Sequence, residues 1–227
     1  MEDYLRQLNR RIDHTLLAPD ATAAAIERLC DEAVEHDLGA VVINPAWVAH
    51  ASMLLETSGI AVVSVAGFPL GAARTDIKVA EASAAVEDGA SEIDMVAAIG
   101  LIVDNSFDTA RREIETVRRQ LPESVILKVI IEASLLTTDQ QAEAARAVAD
   151  AGANFVKTST GFFGGATVDQ VRTLHEAVHG KIGVKASGGI RTLEQCRELL
   201  AAGASRLGTS ASVQIMRQYL EAGGSTE

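Results

Sequence analysis

Ala151-Gly152-Ala153-Asn154-Phe155-Val156-Lys157-Thr158 closes an Ala-rich helix on a glycine and enters a short apolar strand within two residues. Glycine adopts the left-handed conformation that ends a helix at little steric cost. The same joint recurs at Asp88-Gly89-Ala90 and Ala202-Gly203-Ala204. Asp37-Leu38-Gly39-Ala40 is a near copy, and Ser58-Gly59 and His179-Gly180 are looser versions. Working outward from these joints predicts strands near 12–16, 41–43, 61–66, 91–96, 125–131, 154–157, 182–186 and 205–208. It predicts helices near 21–37, 45–57, 73–88, 106–120, 138–151, 168–179, 192–202 and 211–222, with a short helix near 2–9 in front. Strands alternating with helices make parallel βαβ units, and eight of them in this length fit an α/β chain folded as a (β/α)8 TIM barrel. A doubly wound open sheet is the alternative. No linker-like stretch divides the chain, so residues 1–227 read as a single barrel domain.

Hydrophobic residues make up 48% and aromatics only 4%, so the core must be built from Ala, Val, Ile and Leu. A net charge of −11 argues against a nucleic-acid or anionic-membrane binder, which needs a basic face. No apolar run approaches the ~20 residues of a membrane helix. The N-terminus, Met1-Glu2-Asp3-Tyr4-Leu5-Arg6, does not read as a signal peptide, and Cys30 and Cys196 lie far apart in helical patterns. A reducing, cytoplasmic setting is expected.

The chain has five lysines, and three sit in its most apolar stretches: Lys128 in Val125–Ile131, Lys157 in Asn154–Thr158 and Lys185 in Ile182–Ala186. Strand side chains alternate between faces. If Ile93 and Met95 face the helices, Asp94 faces the lumen. By the same parity, Lys128, Lys157 and Lys185 face inward from the next three strands. A lysine in such a place must be paired or neutral, and a neutral lysine is a nucleophile for carbonyls. Desolvation and a like-charged neighbour both lower a lysine pKa from its ordinary ~10.4. Three cations and one carboxylate in a low-dielectric lumen are expected to make one lysine lose its proton. Which of the three does so stays open on this argument.

Active sites of such barrels lie at the C-terminal strand ends, and phosphate is often held by the last loops. The sixth strand runs into Gly161-Phe162-Phe163-Gly164-Gly165, the seventh into Ser187-Gly188-Gly189-Ile190-Arg191, and the eighth into Gly208-Thr209-Ser210-Ala211. Glycines let backbone N–H groups approach an anion, so Gly161, Gly188, Gly189, Gly208 and Ser210 are candidate phosphate contacts. His175-Glu176-Ala177-Val178-His179 matches the zinc-protease pattern H-E-x-x-H, with Glu198 downstream. The apolar stripe Val168, Val171, Leu174 and Val178 must pack on the barrel wall, which puts both histidines outside and away from the strand-end loops. No metal is expected. His36 and His50 fall in helical surface patterns, and His14 of the first strand is expected to line the barrel in a core or pairing role.

Asp13-His14-Thr15-Leu16-Leu17, Asn44-Pro45-Ala46-Trp47-Val48, Val65-Ala66-Gly67-Phe68-Pro69-Leu70-Gly71, Glu92-Ile93-Asp94-Met95-Val96, Phe155-Val156-Lys157-Thr158-Ser159-Thr160-Gly161-Phe162 and Gly183-Val184-Lys185-Ala186-Ser187-Gly188-Gly189-Ile190 together carry a resemblance. Nearly end to end, the chain resembles the deoxyribose-phosphate aldolases, class I aldolases of the barrel fold. The resemblance implies reversible cleavage of 2-deoxy-D-ribose 5-phosphate into D-glyceraldehyde 3-phosphate and acetaldehyde, with no cofactor or metal. It implies Lys157 as the Schiff-base residue, Asp94 as proton relay and Lys185 as its electrostatic partner. Lys128 is expected to orient Asp94, Asp13 to pair with Lys185, and Thr160 to support the nucleophile's segment. A homo-oligomer, dimer or tetramer, is expected. The chain departs from the family in three places. Ile43 stands where a cysteine is common near the end of the second strand. Glu132-Ala133-Ser134 replaces a Glu-Thr-Gly-like turn. Ala211-Ser212 replaces Ser-Gly in the last phosphate loop, where Ser212 could supply the missing donor only if the loop moves. Another lysine-dependent aldolase of the transaldolase kind, and a non-catalytic sugar-phosphate binder, remain as alternative readings.

Overall fold

A computed structural model describes Leu5 and residues 7–225. Eight strands, β1 (Ile12–Leu16), β2 (Ala40–Ile43), β3 (Ala61–Ala66), β4 (Glu92–Val96), β5 (Ile126–Ile130), β6 (Phe155–Lys157), β7 (Gly183–Ser187) and β8 (Arg206–Thr209), close a barrel in sequence order. All neighbours are parallel, and β8 returns to β1 with Asp13 opposite Gly208. The open-sheet alternative is thereby excluded.

The expected helices are present as α1 (Ala23–Glu35), α2 (Val48–Leu55), α3 (Thr75–Glu87), α5 (Phe107–Gln120), α6 (Thr138–Asp150), α7 (Val168–Val178), α8 (Leu193–Ala201) and α9 (Ser212–Glu221). Between them lies α4 (Ile99–Val103), unforeseen because five residues are too few to show a period. Pro45 opens a 3-10 turn over Pro45–Trp47 before α2, so the element expected at 45–57 is split. The helix expected near 2–9 falls largely outside the described residues, which instead contain the 3-10 turn Leu8–Arg11.

Local sequence sets the helix ends. Thr137/Gln140, Thr167/Gln170 and Thr192/Gln195 form reciprocal capping boxes at the starts of α6, α7 and α8, satisfying amides that a helix leaves unpaired. Gly89, Gly152 and Gly203 take positive φ at the helix-to-strand joints, as expected. Gly39 does not. There Asp37 takes the left-handed turn (φ 50°), and glycine is required because a Cβ at position 39 would lie 2.3 Å from the Arg10 carbonyl oxygen.

Two apolar regions result. Ile93, Met95, Leu127, Val129, Val156 and Val184 face outward into the large cluster between barrel and helices. Ala40, Val42, Val63 and Val65 form a smaller cluster of their own. Val65 lies opposite Asp94 and Val63 opposite Glu92 in register, so this second cluster lines the lumen along β2 and β3. Asp13, Glu92, Asp94, Lys128, Lys157 and Lys185, all buried, come from the other strands. Among the described residues, no helix is long and apolar enough to cross a membrane.

Candidate active site

Asp94, Lys128, Lys157 and Lys185 meet in the lumen, as strand parity predicts. Asp94 sits on β4 with no exposure and accepts three lysines: Lys128 Nζ at 2.8 Å on Oδ1, and Lys157 Nζ and Lys185 Nζ each at 2.7 Å on Oδ2. Lys185 Nζ also lies 2.5 Å from Asp13 Oδ2. Two further lumen residues were not singled out from the sequence. Glu92 pairs with Lys128. Arg206 donates Nε to Asp13 Oδ1 at 2.8 Å, pairs with it through Nη2, and reaches Glu92 at 3.4 Å. Both were readable, because Glu92 shares the parity of Asp94, and Leu207 as an outward residue turns Arg206 inward.

These additions change the charge count. The lumen holds three carboxylates (Asp13, Glu92, Asp94) and four cations (Lys128, Lys157, Lys185, Arg206). The excess is one positive charge rather than two, and it vanishes when a single lysine is neutral. Lys157 is the lysine whose proton is most weakened. Burial is the largest influence on it and favours the uncharged amine. Asp94 opposes this, the Lys185 and Lys128 cations add to it, and the pKa falls from 10.5 to about 8. Burial therefore outranks the like-charged neighbours. Lys128 goes the other way. Burial would lower its pKa, but Asp94, Glu92 and Asp13 raise it above the ordinary value. Burial would raise Asp94, yet the three lysines hold it well below the usual carboxylate range, and Asp13 falls to about 2 for the same kind of reason.

Around the rim, Thr160 donates its backbone N–H and its hydroxyl to Glu132 Oε2, at 3.0 and 2.5 Å. Glu132 is 1% exposed and takes a left-handed backbone conformation, φ 50°. Thr160 Oγ1 in turn accepts from Phe162 N–H at 3.2 Å. Phe162 and Phe68, from the loops after β6 and β3, meet edge to face with centroids 5.5 Å apart, a contact that reaches across the barrel mouth. Ile43 belongs to the outer cluster, so the lumen-facing residue at the end of β2 is Val42.

The phosphate candidates separate into two groups. Gly208 lies within β8, where a Cβ would sit 3.2 Å from Lys185 Cε, so its lack of a side chain makes room for that lysine. Gly188 is needed for packing, since its Cβ would meet Gly164 O at 2.9 Å and Gly161 Cα at 3.2 Å. Gly161 (φ 92°), Gly189 (φ 76°) and Ser210 are exposed at the mouth. Ser212 is fully buried and its hydroxyl donates to Thr209 O at 3.3 Å, so it does not replace the donor missing at Ala211.

His175, Glu176 and His179 are exposed on α7 and its C-cap, on the outside of the barrel, and the His175 ring packs over Gly203. Among the described residues, no three His, Cys, Asp or Glu side chains cluster as metal ligands. His14 faces α1 rather than the lumen, with Nε2 2.8 Å from Glu32 Oε2. Among the described residues a fourth lysine is buried. Lys78 shares the buried face of α3 with Ala82 and Ala85, and donates to Glu113 at 2.9 Å outside the barrel.

Known proteins point the same way. A profile of DeoC/LacD family aldolases matches residues 9–213. Deoxyribose-phosphate aldolase of Natranaerobius thermophilus is 46% identical over 94% of this chain and 97% of its own. That of Deinococcus radiodurans is 48% identical over 90% and 93%. A solved deoxyribose phosphate aldolase from Aeropyrum pernix, described as a unique tetramer, superposes with a TM-score of 0.86 at 32% identity, covering 95% of this chain and 92% of that one. With a closed parallel barrel, a lumen of paired lysines and this extent of identity, the chain belongs to the DeoC/LacD family of aldolases.

Proposed function

We propose that this protein reversibly cleaves 2-deoxy-D-ribose 5-phosphate to D-glyceraldehyde 3-phosphate and acetaldehyde through a Schiff base on Lys157. The carrying observation is the Lys157 amine, buried, held at 2.7 Å by Asp94, and brought to a pKa of about 8. Neutral Nζ attacks the aldehyde carbon of the open-chain sugar and gives a carbinolamine. Loss of water leaves an iminium, which accepts the electron pair of the C2–C3 bond as that bond breaks. The C3 hydroxyl gives up its proton and leaves as the aldehyde of glyceraldehyde phosphate. The remaining enamine takes a proton at C2, and water releases acetaldehyde. The iminium itself is the electron sink, so no cofactor enters the sequence.

Asp94 holds the Lys157 and Lys185 ammonium groups on a single oxygen and relays protons at the carbinolamine and at the C3 hydroxyl. Lys185, beside Lys157 on the same Asp94 oxygen, works against a proton on Lys157. Lys128 and Asp13 hold Asp94 and Lys185 from the opposite side. Thr160 ties the loop after β6 to Glu132. Gly161, Gly189 and Ser210 offer backbone and hydroxyl donors to the phosphate, and its binding orients the reacting bond. The phosphorylated substrate and two free, buried cysteines suit a cytoplasmic enzyme. The tetramer of the A. pernix relative is the support for proposing a homo-oligomer.

A retro-aldol assay with 2-deoxyribose 5-phosphate, coupled to NADH oxidation, tests the reaction. Turnover with this substrate and acetaldehyde as donor in the reverse direction is expected. A preference for ketone donors would point to a different lysine aldolase. Gly189→Val tests the phosphate mouth. It should raise KM for the sugar phosphate by roughly tenfold or more, the scale of a lost hydrogen bond to a charged group, and leave capture of phosphate-free acetaldehyde unchanged. An unaltered KM would remove Gly189 from the phosphate site.

A further inference from the structure

We infer that Glu92 and Arg206 are positioning residues that set the protonation of Lys157 from below, with opposite signs. The inference rests on Lys157 being the nucleophile. Glu92 lies two residues deeper than Asp94 on β4, about 6–7 Å along the strand. Arg206 lies opposite Lys185 in register, and its guanidinium turns to Asp13 and Glu92. Neither residue has a contact with Lys157. Each reaches it through alternating charges: Glu92 through Lys128 and Asp94, and Arg206 through Asp13, Lys185 and Asp94.

The charged groups that face Lys157 are Asp94 from β4, Lys128 from β5, Lys185 from β7 and Asp13 from β1, with Glu92 and Arg206 beneath them. Glu132 stands at the rim and is engaged by the Thr160 amide and hydroxyl rather than by any of these cations. With Lys157 neutral, three lumen carboxylates balance three cations. Asp13, Asp94, Lys128 and Lys185 have no exposure, Glu92 has 4%, and the Arg206 side chain 15%. Salt and water screen a net charge weakly in such a place. Removing the Arg206 charge leaves a carboxylate in excess, which favours an ammonium at Lys157. Removing the Glu92 charge leaves a cation in excess, which favours the free amine. A packing role alone would weaken the enzyme in both variants without moving the titration in two directions.

The readout is the pH dependence of borohydride-trapped acetaldehyde adduct on the full-length protein, for wild type, Arg206→Met, Arg206→Lys, Glu92→Gln and the double variant Glu92→Gln/Arg206→Met. Arg206→Met should move the midpoint up, and Glu92→Gln down, by about one pH unit each, or roughly tenfold in trapping rate at a fixed pH below the midpoint. Arg206→Lys keeps the charge and should stay near wild type. The double variant restores the balance and should return the midpoint towards wild type. Shifts of the same sign, no shift, or a folded double variant that fails to return would each overturn the inference. If Arg206→Met does not fold, an unshifted Glu92→Gln overturns it alone. Absence of any adduct in wild type at every pH would instead overturn the reading of Lys157.

Discussion

Lys157→Ala should abolish both the borohydride-trapped two-carbon adduct formed with acetaldehyde and the cleavage of 2-deoxyribose 5-phosphate. The expected loss of turnover is roughly four to six orders of magnitude, the scale seen when a covalent nucleophile is deleted. The size follows from chemistry, because without the amine there is no iminium and nothing to accept the electron pair of the breaking bond. The fold should survive. Lys157 is the surplus cation, so its removal leaves Asp13, Glu92 and Asp94 matched by Lys128, Lys185 and Arg206. Peptide mapping of the trapped wild-type adduct locates the nucleophile. An adduct on Lys185 or Lys128 would sink the assignment, and so would an adduct that persists in Lys157→Ala.

Lys185→Leu is expected to have the next largest effect, and its signature is in the pH profile. The wild-type amine is freed as pH rises through about 8, so roughly a tenth of it is neutral at pH 7, against well under a thousandth for an ordinary lysine. Without Lys185, Lys157 becomes the third cation against three carboxylates and has reason to keep its proton. The midpoint of adduct formation should rise by about one to two units, with kcat/KM at pH 7 falling by roughly 10- to 100-fold and partly recovering at higher pH. Activity lost equally at every pH would show Lys185 acting in proton transfer instead. An unchanged profile and rate would deny it either role.

Much of this site was legible along the strands. Alternation is a local property of extended backbone, so Asp94, Lys128, Lys157 and Lys185 could all be turned inward from their apolar neighbours alone. Glu92 and Arg206 obey the same rule, but the partners that give them meaning, Lys128 and Asp13, lie on other strands. Lys78 was hidden differently. Its helix position predicts burial among alanines, yet its partner Glu113 lies on another helix, 35 positions away. The rim was least legible. Whether a glycine faces a ligand, clears a side chain or packs a loop depends on what lies across the gap. Gly189, Gly208 and Gly188 turn out to differ in that respect.

The sequence by itself determined the eight strand-and-helix units and the shared facing of Asp94, Lys128, Lys157 and Lys185, because helix joints and strand parity are set by a residue and its near neighbours; closure of the ring, and the turn of His14 away from it, came from the tertiary structure. Only the tertiary structure decided the charge state inside. Closing the ring brings Asp13 and Arg206 from its two ends against Glu92, Asp94 and the lysines of the middle strands. The pKa of Lys157 answers to the sum of charges and the depth of burial in that enclosed space, which are properties of the closed barrel and of no single segment.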